Sequence, residues 1–129
     1  YWDAGAANVH WVIATDRQVE AGVNEALSRV KAPNVLIEGT SLLQFIKTNF
    51  AILVSRPDLP KPKTSARRAL IEQKINAIYF SSQNNQAAES GGDFAALSQS
   101  SPTMDQDWLT SLPVFLPDDL PGLAAFISG

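Results

Sequence analysis

Asn34-Val35-Leu36-Ile37-Glu38-Gly39-Thr40 sets one carboxylate and one glycine directly after an apolar run. In a parallel sheet, the first polar residue beyond a buried strand stands where the ligand crevice opens, so chemistry can begin there. A carboxylate at that point, Glu38, suits holding a magnesium-bound water or orienting an attacking one. Gly39, with no side chain, lets its backbone amide approach a phosphate. The same residues also suit a structural role, in which Glu38 caps the short helix that follows or joins a surface ion pair.

Other reactive residue types are sparse. His10 is the single histidine and has no paired carboxylate beside it, so a satisfied structural histidine is the simpler reading. Ser41, Ser55 and Ser65 lack the glycine-x-serine-x-glycine elbow of a serine hydrolase. Arg56, Lys61, Lys63, Arg67 and Arg68 form a basic stretch interrupted by Pro57, Pro60 and Pro62. It suits a phosphate or an acidic partner, but a solvated loop leading into a charged first helical turn is the simpler reading. Trp11, Trp108 and Tyr79 read as core or seam packing rather than stacking platforms. No cysteine occurs, which excludes disulfides, zinc–thiolate sites, iron–sulfur clusters and cysteine nucleophiles and permits a cytoplasmic home, the expected location. A net charge of −3 argues against a nucleic-acid partner, and no apolar run reaches membrane-spanning length.

The elements that must position these residues follow from hydrophobic pattern. Residues 9–14, 35–37, 50–54, 77–80 and 113–116 are short apolar runs rich in Val, Ile, Phe, Tyr and Trp, which predicts strands. They are continuously apolar rather than alternating, which predicts burial on both faces. Between the first two, residues 16–31 carry Val19, Val23, Ala26, Leu27 and Val30 at helical spacing, with Asp16 as the expected N-cap. A short helix is expected over 41–47, and a longer one capped by Thr64 or Ser65 with Ala66, Ala69, Leu70 and Ile71 on its apolar stripe. Trp108, Leu109 and Leu112 are expected to re-enter the core, and an amphipathic segment with Leu123, Ala124, Phe126 and Ile127 to close the chain. Alternating strand and helix patterns predict one α/β domain over residues 1–129, with a three-layer, doubly wound and mainly parallel sheet of about five strands. Residues 81–103, dense in Ser, Gln, Asn, Ala and Gly, read as a flexible loop with a weak helical turn near 94–97. Strand-terminal polar residues should then share one rim: Thr15 and Asp16, Glu38 to Ser41, Ser55 and Arg56, Ser81 and Ser82, and Asp118.

The order Tyr1-Trp2-Asp3-Ala4-Gly5-Ala6, then Val9-His10-Trp11-Val12, then Val35-Leu36-Ile37-Glu38-Gly39, then Phe50-Ala51-Ile52-Leu53-Val54-Ser55 adds a further observation. Over most of residues 1–82 it resembles the later two-thirds of P-loop GTP-binding proteins related to the molybdopterin-guanine-dinucleotide biosynthesis adaptor. The resemblance implies a P-loop NTPase-like fold, with Glu38 and Gly39 near magnesium (Glu38 through water) and the terminal phosphate. It also implies that Ser81, Ser82 and Asn84 lie near the base. GTP or another nucleotide with magnesium would be the cofactor only where a phosphate loop is supplied from upstream. No glycine here is followed by lysine, Gly91-Gly92 is followed by Asp93, and the asparagine-lysine-x-aspartate guanine signature is absent. Nucleotide hydrolysis by this chain alone is therefore not expected.

In the resembled fold the phosphate-loop strand lies between the Glu38 strand and the Phe50 strand. A sheet lacking it presents unpaired backbone groups, which predicts a homodimer or a partner chain completing the sheet. The alternative function, of a different class, is a noncatalytic interaction module that keeps the scaffold and binds a protein through its edge or through residues 81–103. A stand-alone enzyme with another cofactor has the least support, because no acid–base pair or metal cluster stands out.

Overall fold

The computed structural model describes residues 1–56, 63–81 and 104–129. The chain divides between Ile46 and Lys47 into two compact units.

The first unit, residues 1–46, is built around helix α1, Val19–Ser28. Its expected stripe is the face removed from solvent: Val23 is buried, and Val19, Ala26, Leu27 and Val30 are partly so. Leu42 and Leu43 of a 3-10 turn, Ser41–Gln44, are buried as well, and that turn lies against α1. Residues 12–14 run close over the helix at Gly22, where a β-carbon would stand 2.9 Å from Val12 Cγ1 and 3.6 Å from Ala14 Cβ. Glycine at that position is what permits the approach. Asp16 does not cap the helix. The N-cap is Gln18, with Thr15 Oγ1 donating to its Oε1 at 2.8 Å and no side-chain cap on the backbone.

Residues 9–14 and 35–37 form no strand, which corrects the five-strand expectation. An apolar run becomes a strand only when a neighbour accepts its backbone groups, and neither run has a ladder partner among the described residues. Their side chains face solvent instead: Trp11 is 82% exposed, Ile13 88% and Leu36 85%. Trp11 is therefore not a core residue.

The second unit, residues 47–129, holds an open three-stranded parallel sheet, so the α/β class stands. Strands β1 (Ile52–Ser55), β2 (Ala77–Phe80) and β3 (Val114–Phe115) lie in the order β1-β2-β3. Leu53 pairs with Ile78, and Ile78 with Val114, in parallel register. Burial on both faces holds only for the central strand, where Ala77, Ile78 and Phe80 are buried. At the edge, Val54 is exposed.

Helix α2, Thr64–Ile71, crosses from β1 to β2 with Ala66, Ala69 and Leu70 buried. Its N-cap is Lys63 without a side-chain bond, not Thr64 or Ser65. Helix α3, Gln106–Ser111, is capped by Asp105, whose carboxylate accepts from the Trp108 amide at 3.0 Å, and it buries Leu109. Helix α4, Leu120–Ser128, is capped by Asp119 at the Gly122 amide and sets Phe126 against Phe50 and Phe115, with ring centroids 5.3 and 5.5 Å apart. The weak turn expected near 94–97, and residues 57–62 of the basic stretch, lie outside the described residues.

Candidate functional site

Three parallel strands bring their carboxyl ends to one edge of the sheet. Ser55 and Arg56 follow β1, Ser81 follows β2, and Asp118 stands in the 3-10 turn Pro117–Asp119 after β3. Ser81 is tied down: its amide donates to the Ser55 carbonyl at 2.9 Å, and its hydroxyl turns back to the same oxygen at 3.4 Å. The rim is shorter than expected. Thr15, Asp16 and residues 38–41 follow runs that are not strands and belong to the first unit. The two halves of the expected site thus fall in separate units: Glu38 and Gly39 in one, Ser81 in the other. Ser82 and Asn84 lie outside the described residues.

Glu38 is exposed and neither caps the following turn nor forms an ion pair among the described residues. Its partner is Tyr1, whose phenol donates to Oε1 at 2.5 Å across 37 positions of sequence. That hydrogen bond to the carboxylate raises the Tyr1 pKa above its ordinary 10.0, with desolvation and then the carboxylate's charge acting in the same direction. Oε2 takes no hydrogen bond among the described residues. Gly39 has φ +130°, a conformation that side chains rarely adopt, so glycine there is a backbone requirement. The space itself is open, since a β-carbon would meet only Leu42 Cδ2 at 3.6 Å. Gly39 thereby turns the chain into the 3-10 turn that anchors Leu42 and Leu43, which fixes Glu38 at the root of a packed element.

The chemistry on offer is one carboxylate with one oxygen held by a phenol. No group of three or more His, Asp or Glu residues able to hold a metal occurs among the described residues, and His10 is exposed. Tyr79 and Trp108 are half-buried, in keeping with packing roles. Pattern reading missed Tyr1. The available signal was the only other hydroxylated aromatic, lying in the same unit as Glu38, but nothing in linear spacing links positions 1 and 38.

No protein-family model, curated protein or solved structure matches the chain.

Proposed function

We propose that this chain is the later portion of a cytoplasmic P-loop-type nucleotide-binding protein of cofactor biosynthesis, GTPase-like in class, whose phosphate loop comes from a segment outside this sequence. The observation that carries the proposal is where the chain divides. The break between Ile46 and Lys47 falls between the two runs, 35–37 and 50–54, that the resembled family separates in space with its phosphate-loop strand. Two further features agree with it. Among the described residues, 35–37 are exposed and have no ladder partner, and β1 is at the edge of its sheet with Val54 exposed. A parallel strand inserted between them would satisfy both sets of backbone groups and cover both apolar surfaces.

In the completed protein Glu38 holds a magnesium-bound water, Gly39 brings its amide to the terminal phosphate, and Ser81, Ser82 and Asn84 lie near the base. Alone, the chain holds no triphosphate, because no lysine-tipped glycine loop is present. The test is calorimetric titration of magnesium–GTP into two proteins. One is this chain, the other the same chain preceded by a β-strand and a Gly-x-x-x-x-Gly-Lys-Ser loop. Micromolar binding by the extended protein and none by the shorter one is the expected result. A folded extended protein that binds no nucleotide overturns the reading.

A second reading draws on the exposure of Trp11, Ile13 and Leu36: a noncatalytic module whose open surfaces take a partner chain or a second copy. It predicts concentration-dependent association without any nucleotide response.

A further inference from the structure

Strand β1 stands at the edge of its sheet, and among the described residues its ladder neighbour is β2 alone. Successive residues of a strand direct their backbone groups to opposite sides, so half of those in β1 face away from β2. The bonds that cross to β2 decide which half. The Ala51 carbonyl accepts from the Asn76 amide at 2.8 Å, and the Ser55 carbonyl from the Ser81 amide at 2.9 Å. Ala51, Leu53 and Ser55 therefore face β2. The same alternation holds on β2, where the Ile78 amide donates the other way, to the Pro113 carbonyl at 2.9 Å. Ile52 and Val54 are left with amides and carbonyls directed at the open edge. Their side chains share one face of the sheet, on which Val54 is 64% exposed. An apolar edge of this kind takes up another strand unless a charge, a proline or a bulge guards it. β1 reads Ile-Leu-Val-Ser in unbroken register with β2, and carries none of the three.

We propose that β1 is a dimerisation edge: a second copy of this chain lays its own β1 antiparallel alongside, about a two-fold axis at Leu53, and the two sheets become one. The inference rests on the interaction-module reading and deepens it, naming the partner and the edge. The occupant follows from the edge being its own complement. Two outward-directed residues spaced by two match themselves when reversed, so Ile52 opposes Val54 of the partner subunit and Val54 opposes the partner subunit's Ile52. Each opposed pair exchanges both of its backbone hydrogen bonds, and every outward group of β1 is used. An axis at Ile52 or at Val54 would leave one of the two residues opposite a position beyond the strand. The Leu53 axis also sets β-branched side chains against each other and covers the exposed Val54. Charge agrees with it, since Arg56 comes to lie beside the partner subunit's Phe50 and not beside a second cation.

The experiment is sedimentation equilibrium of the full chain and of Val54→Lys, followed by cysteine cross-linking. The native chain should pass from monomer to dimer as concentration rises. Val54→Lys puts a charge on the edge at an exposed position, so it should raise the dimer Kd about tenfold or more with the far-ultraviolet spectrum unchanged. A native chain that stays monomeric up to about 1 mM overturns the inference and leaves the module reading only a different partner. A dimer equally tight in Val54→Lys also overturns it, placing the contact elsewhere while the module reading stands. The register is read separately, because the chain has no cysteine of its own. On oxidation, Ile52→Cys mixed with Val54→Cys should form a disulfide, since opposed residues lie about 5.5 Å apart at Cα. Val54→Cys alone should not, because its two copies sit across a diagonal of about 7–8 Å. Linking of Val54→Cys alone as fast as in the mixture overturns the pairing about Leu53.

Discussion

Asn76 and Ala51 grip each other twice. The Asn76 amide donates to the Ala51 carbonyl at 2.8 Å, and the Ala51 amide donates to Asn76 Oδ1 at 2.8 Å. This closed pair stands one residue before the Ile52–Ala77 pairing, so it sets the register of β1 on β2 and with it the level at which Ser55 and Ser81 end. Asn76→Ala leaves the amide of Ala51, a buried residue, without its acceptor, which costs about 1–3 kcal/mol. Asn76→Asp keeps a side-chain oxygen in place and should recover most of that loss. Urea midpoints at unchanged denaturant slope check both outcomes. Equal losses for the two variants would show that the side-chain acceptor is not what matters.

Gln73 follows α2 with φ +52°, in the left-handed region that glycine favours. Its amide donates to the Leu70 carbonyl at 3.0 Å and the Lys74 amide to the Ala69 carbonyl at 2.9 Å, the paired bonds of a Schellman C-terminus. Gln73→Gly should raise stability by about 0.5–1 kcal/mol, the relief of strain outweighing glycine's entropy and the exposed bond from Gln73 to Asp105. Gln73→Val should lower it. Thermal midpoints in one buffer suffice, and a glycine variant that melts earlier refutes the argument.

These cases show what the sequence could and could not reveal. Residues 77–80 and the stripe Val19, Val23, Ala26, Leu27 and Val30 were legible because burial and periodicity act locally and leave a composition signal. Residues 9–14 and 35–37 carry the same composition yet form no strand, because strand formation needs a neighbour and composition does not report one. Gln73 occupies a glycine position without being glycine, so no turn signal marked it. Of the candidate site, Glu38 and Gly39 were visible as the first polar pair after an apolar run, but that run is no strand, and the positive φ at Gly39 left no mark in the sequence. The Tyr1 contact was not visible either, since it depends on two folded segments meeting.

Tyr1 gives stability a defined dependence on alkaline pH. Its pKa is raised in the folded chain, so the stabilisation from its bond to Glu38 is complete below the unfolded value near 10 and is lost as pH rises through the higher folded value. Tyr1→Phe should therefore be less stable than the native chain at pH 8, with the difference shrinking to nothing as the phenol ionises. Denaturant midpoints of the two chains across pH 8–11 provide the measurement. A difference that persists at the alkaline end would assign the loss to ring packing instead.

Asp119 caps α4 by accepting from the Gly122 amide at 3.2 Å, and the helix it starts carries Phe126 to Phe50 and Phe115. Asp119→Ala should cost about 0.5–2 kcal/mol. Gly122→Ala should also destabilise, because the added methyl would enter the space of the capping carboxylate. The two losses should not add, since both act on the same cap. A double variant as unstable as the sum of the single ones would mean that the methyl acts elsewhere.

The exposed apolar runs permit a test by sign. Ile13 and Leu36 are 88% and 85% exposed, so Ile13→Ser and Leu36→Ser should change the stability of this chain by no more than about 0.5 kcal/mol. They should also reduce its self-association, because each removes exposed apolar surface. If the proposed nucleotide reading holds, a protein extended by the phosphate-loop strand should give the Leu36 run a neighbour and bury it. Leu36→Ser should then cost about 1.5–3 kcal/mol, the value of a large aliphatic side chain taken out of water. Trp11, 82% exposed, should supply the reddest part of the emission, which Trp11→Phe removes. Denaturation curves for the serine variants in both proteins decide the matter. A Leu36→Ser cost that is equally small in each would mean that no inserted strand covers residues 35–37.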